Sequence, residues 1–86
     1  MLMDRAVFDL GVSVHAVSLY ILICALEDEG REPGFELVRH QWTASEEALW
    51  KAAEELEHRK VIRIESKGQS SGRFWIQPSH QWLRGS

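Results

Sequence analysis

Thr43-Ala-Ser-Glu-Glu-Ala-Leu-Trp-Lys-Ala-Ala-Glu-Glu-Leu-Glu-His-Arg-Lys-Val-Ile-Arg-Ile-Glu65 changes its period partway along, and that change decides the fold. Leu49, Ala52, Ala53 and Leu56 recur at i, i+3, i+4 and i+7, the buried stripe of a helix expected over residues 44–59. Its start fits a capping box, with the Thr43 hydroxyl on the third backbone N–H and Glu46 returning to the cap's own N–H. The two small alanines let this helix approach a neighbour closely. From Val61 the spacing shortens to that of a strand, β-branched and expected over residues 61–65.

The rest of the order follows outward from there. Downstream, Lys67-Gly68-Gln69-Ser70-Ser71-Gly72 is a polar loop between glycines. Arg73-Phe74-Trp75-Ile76-Gln77 reads as a second strand, about 73–77, which Pro78 stops. Upstream, Pro33-Gly34 marks a turn, and Phe35, Val38 and Trp42 recur as one face of a short helix over about 35–42. Trp42 and Trp75 each continue an apolar pattern and are expected in the core. Ser13 is placed to cap a further helix, about 13–29, that is apolar nearly all round. Glu27-Asp28-Glu29 and Gly30 end it, the acids reading as a solvated charge run. Residues 5–10 precede it as a short strand or an irregular lead-in. The fold class is therefore α+β, one domain over residues 1–86, with three helices followed by a two-stranded hairpin.

Composition narrows the function. At 86 residues, 44% hydrophobic and 27% charged, the chain is an ordinary globular sequence with room for one core. A domain this short buries roughly 60–65% of its unfolded surface, so a dimer is a natural support. The single cysteine, Cys24, excludes an internal disulfide framework and points to a reducing, cytoplasmic setting. The longest apolar stretch, residues 14–26, falls short of the about 20 residues that span a bilayer, and it lacks the flanks of a signal peptide. The net charge of −3 hides an asymmetry. Residues 1–58 carry 12 acidic and 4 basic side chains, a balance of −8; residues 59–86 carry 6 basic and 1 acidic, a balance of +5. A basic end on an acidic body suggests nucleic acid as a partner, or else a merely solvated hairpin.

The element order resembles the winged helix-turn-helix family over residues 5 to 78. Asp9-Leu10-Gly11-Val12-Ser13-Val14-His15-Ala16 leading into Leu19-Tyr20-Ile21-Leu22 is similar to the opening of such modules in bacterial and phage regulators and replication initiators. The run from Ala48-Leu49 through Leu56 to Val61-Ile62 is similar to the family's third helix entering its first wing strand. The resemblance implies that the third helix enters the major groove with Ser45, Glu46, Glu47, Trp50, Lys51 and Glu54 outward. Three carboxylates among them depart from the usual basic or amide residues, because phosphate attraction supplies most non-specific affinity. Thr43 stands where the family often has glycine. The wing carries Arg63, Lys67 and Arg73, which would track the phosphate backbone.

Two functions follow. One is a double-stranded-DNA-binding module, a small transcriptional regulator or replication-associated protein, reading through Ser45, Glu47, Trp50, Lys51, Arg63, Lys67 and Arg73. The other is a protein-interaction module using the acidic third helix and Trp50, without DNA; Trp50 alternatively packs on the second helix or the wing. Trp82, past Pro78, either folds back onto the body or meets a partner. The histidines His15, His40, His58 and His80 lack ligand spacing, and no nucleophile elbow or phosphate loop is present, so no metal, cofactor or catalytic site is expected. The first helix, with too many apolar faces for one small body to cover, is expected to form a homodimer through Leu19, Leu22, Ile23 and Leu26. Val7, Phe8 and Leu10 are the rival cover.

Overall fold

A computed structural model describes residues 5–66 and 72–83. Arg5–Asp9 form a 3₁₀ turn, followed by α1 (Val14–Asp28), α2 (Phe35–Gln41) and α3 (Glu46–His58). The chain then enters β1 (Ile62–Ser66) and β2 (Gly72–Ile76) and closes with a second 3₁₀ turn, Ser79–Gln81. This is the expected α+β order of three helices and an antiparallel hairpin, a winged-helix-like arrangement. The lead-in is thus helical in character and not a strand.

The helix ends explain the boundaries. Ser13 caps α1, its hydroxyl accepting from the Ala16 N–H at 3.2 Å. At the other end Gly30, with φ of 79°, reverses the chain; its N–H donates to the Glu27 carbonyl and the Arg31 N–H to the Leu26 carbonyl, the paired bonds of a Schellman motif. The cap of α3 is Ser45 rather than the expected Thr43: the Ser45 hydroxyl accepts from the Ala48 N–H at 3.1 Å, and the helix starts two residues later than the capping-box reading had it. Both serine and threonine satisfy that sequence rule. Trp42 selects between them, because its indole N–H donates to the Ser45 carbonyl at 3.0 Å and fixes the turn between α2 and α3.

The buried side chains form one cluster. Leu19, Tyr20, Ile23 and Leu26 of α1 meet Leu49, Ala52, Ala53 and Leu56 of α3, and Val38, Val61, Ile62 and Phe74 close the remaining sides. Val7 of the first turn and Leu10 just after it are buried as well, while Phe8 stays exposed. Trp82 folds back: it is 7% exposed, lies edge-on to Tyr20 with ring centroids 5.5 Å apart, and donates its N–H to the Gln77 carbonyl at 2.8 Å.

The hairpin pairs Ile62 with Ile76, Arg63 with Trp75, Ile64 with Phe74, Glu65 with Arg73 and Ser66 with Gly72. Side chains alternate between faces along a strand. Ile62, Ile64, Phe74 and Ile76 therefore share the face that carries the buried Phe74, and Arg63, Glu65, Arg73 and Trp75 share the other. Trp75 belongs to that outer face and is half-buried, which corrects its expected place in the core. Trp42 is likewise half-buried. The loop between α1 and α2 adds a bridge to the free side of β2, Gly34 facing Arg73, with the Phe74 N–H donating to the Pro33 carbonyl at 3.0 Å. At Gly72 any Cβ would strike the Phe35 ring, so the glycine permits α2 to approach the hairpin closely there.

Candidate nucleic-acid interface

Two surfaces were candidates, the outward side of α3 and the outer face of the hairpin, and they differ in charge. Along α3, Glu46, Glu47, Glu54, Glu55 and Glu57 stand against Lys51 alone. Glu47 and Lys51 are both exposed and pair at 3.2 Å across one helical turn. Glu46 takes the Arg39 side chain at 3.0 Å, with Glu36 a second acceptor for that guanidinium at 3.3 Å. Ser45 is exposed, with its hydroxyl engaged as the helix cap.

Trp50 is not free on this face. Its ring meets Phe35 edge-on at 5.5 Å, and Phe35 in turn contacts Phe74 at 5.1 Å, so an aromatic chain links α3, α2 and β2. Of its two expected roles, packing against the second helix is the one observed.

Glu55 does something the sequence did not announce. Its carboxylate accepts from the Ser13 N–H at 2.9 Å and from the Ser13 hydroxyl at 2.7 Å. An anion from α3 is thereby seated on the N-terminus of α1, where the helix dipole favours it. Beside this clamp lies an open cavity of about 410 Å³, lined by Ser13, His15, Ser45, Glu47, Lys51 and Glu55 among others.

On the hairpin, the Arg73 guanidinium lies 3.7 Å from the centroid of the Trp75 ring and the Arg63 guanidinium 5.9 Å from it. Arg63 is exposed and 3.9 Å from Glu65. Arg73 is largely covered, its Nη1 3.3 Å from Glu32 and its Nη2 3.9 Å from Glu27. The Glu27–Glu29 run is therefore partly engaged rather than wholly a solvated stretch. Arg73 Nε and Trp75 Nε1 are buried without a hydrogen-bond partner. Lys67, with Gln69, Ser70 and Ser71 of the loop, lies outside the described residues.

The other expected sites resolve as follows. Leu19, Ile23 and Leu26 are at most 1% exposed inside the protomer's own core, and only Leu22 of the four proposed interface residues keeps any surface. The expected dimer contact thus loses three of its four residues to the fold, whose one buried cluster also takes in Val7, Leu10 and Trp82. Cys24 is buried; that burial raises its thiol above the ordinary value, the Tyr20 hydrogen bond opposes the rise, and the charge of Glu27 adds to it. Among the described residues no three metal-capable side chains come together, and no helix is long and apolar enough to cross a membrane. Searched against protein-family models, curated proteins and solved structures, the chain matches none, so the functional reading rests on its own residues.

Proposed function

We propose that this protein is a double-stranded-DNA-binding module of winged-helix type, a small regulator or replication-associated factor, whose hairpin and not α3 makes the principal phosphate contacts. The observation that carries this is the outer face of the hairpin, where Arg63 and Arg73 flank Trp75 in the segment whose charge balance is +5. Guanidinium groups give phosphate two donors in a fixed plane, and an aromatic ring beneath them holds that plane in place. The outward side of α3 would instead be repelled by a phosphate-lined groove. Base reading through Ser45, Glu47, Trp50 and Lys51 is therefore not part of the proposal, and neither is a dimer through α1. A DNA partner belongs with a reducing compartment, where the lone Cys24 stays a thiol.

The test is binding to a random duplex as salt is varied. Wild-type affinity should fall steeply with salt, and Arg63→Ala should weaken binding to all sequences alike while flattening the log–log slope by about one unit. A slope that ignores Arg63 would remove the hairpin from the contact.

One observation favours a second reading. Glu46, Glu47, Glu54 and Glu57 are all exposed on α3 with one lysine among them, a surface suited to a basic protein partner. Absence of duplex binding even at low salt would favour it.

A further inference from the structure

Arg73 faces carboxylates that come from outside the hairpin. Glu27 lies in the last turn of α1 and Glu32 in the loop after it; both aim at the guanidinium, at 3.9 and 3.3 Å. Glu65 stands across the strand pair from the same residue. Trp75 supports the guanidinium plane from one side at 3.7 Å, and Nε has no partner. A planar cation seated over a ring, with its terminal nitrogens paired to two carboxylates, occupies the kind of site a backbone phosphate would compete for.

We propose that Glu32 and Glu27 are an internal competitor for that phosphate, an autoinhibitory contact that holds down the affinity of the hairpin for DNA. The inference rests on the DNA-binding reading above. Three features support a competing role over a purely structural one. The β2 strand is already fastened to the α1–α2 loop by the Phe74–Pro33 hydrogen bond, the Gly34 bridge and the Phe35–Phe74 contact, so the ion pairs are not needed to dock it. Glu32 is 82% exposed, and ion pairs so open to water contribute little. Releasing Arg73 from Glu32 needs only a side-chain rotation, because the backbone at Pro33 and Gly34 stays bonded. Trp75 keeps the guanidinium oriented while the anion changes.

The experiment is fluorescence anisotropy of a labelled random 20-base-pair duplex, across a salt series, with the full chain. Five proteins are compared: wild type, Glu27→Gln with Glu32→Gln, Arg73→Gln, the triple variant, and Glu54→Gln with Glu57→Gln as the same charge change placed on α3. Removing the competitor should tighten binding about fivefold at low salt and steepen the slope by about one unit, as one further phosphate is neutralised. The α3 control should tighten binding about twofold with an unchanged slope, and the Arg73→Gln background should abolish the larger gain. A sixth protein, Glu32→Gln alone, altered at an exposed side chain, should give part of the effect without disturbing the fold. A gain no larger than that of the α3 control, or one that persists without Arg73, overturns the competitor and leaves the DNA-binding reading standing. If none of the six proteins binds the duplex, the DNA-binding reading itself falls, and this inference with it.

Discussion

Lys60 adopts φ of 64° at the end of α3, where the chain turns from helix into β1. Its N–H donates to the Glu57 carbonyl, and the Val61 N–H to the Leu56 carbonyl, so α3 closes with the same paired bonds that Gly30 makes after α1. A side chain there strains the left-handed backbone by about 1–2 kcal/mol, of which glycine's greater freedom when unfolded returns roughly half. Lys60→Gly is therefore expected to stabilise the fold by about 0.5–1 kcal/mol, read as a rise in the urea midpoint with unchanged slope. It should also cost one positive charge near the hairpin, so its duplex binding should weaken slightly while its stability rises. The sequence hid this stop, since nothing marks a lysine as a left-handed cap, and the helix was expected to run to residue 59. Gly30, by contrast, announced its own turn.

Among the elements, α1 and α3 are joined by more than apolar packing. The Glu55 carboxylate receives both the N–H and the hydroxyl of Ser13, while that same hydroxyl accepts from Ala16. One exposed serine thus relays the charge of α3 to the free amides of α1. Glu55→Ala would strip a charge-assisted acceptor from two donors and leave Ser13 to cap alone. The expected loss is about 1–2 kcal/mol by chemical denaturation, with Glu55→Gln recovering part of it. Ser13 was legible as a cap because capping is local. Its carboxylate partner was not, since 42 residues separate the two in the chain. The same limit applies to Arg73: its charge was visible in the sequence, but the glutamates that engage it lie in a loop that only the bridge at Gly34 brings alongside β2. Strand alternation carried the information that Trp75 faces away from Phe74, and the run of adjacent apolar residues masked it.

At the scale of the whole molecule the question is what covers α1. Its residues carry apolar side chains on nearly every face, and two further helices and a hairpin do not surround it completely. The sequence offered two covers, a second copy of the chain or the residues before Gly11. Val7 and Leu10 supply part of the second, each at most 1% exposed, and Trp82 supplies the rest from the opposite end by lying edge-on to Tyr20. The Leu83 N–H donates to the Arg59 carbonyl at 2.6 Å and fastens that returning segment to the end of α3. Leu19, Ile23 and Leu26 then have no surface left to give to a partner, and burying each within the protomer contributes roughly 1.5–3 kcal/mol that a dimer cannot count again. Among the described residues the large hydrophobics that remain outside, Val14 at 81% exposed, Phe8 at 54% and Leu83 at 50%, are scattered single residues of the kind ordinary surfaces carry. The expected outcome is a monomer by sedimentation equilibrium across the micromolar range. Trp82→Ala should reopen the cover over Tyr20, destabilising the fold by about 3–5 kcal/mol. A wild-type chain that dimerises at those concentrations would show that the two ends of the chain do not suffice.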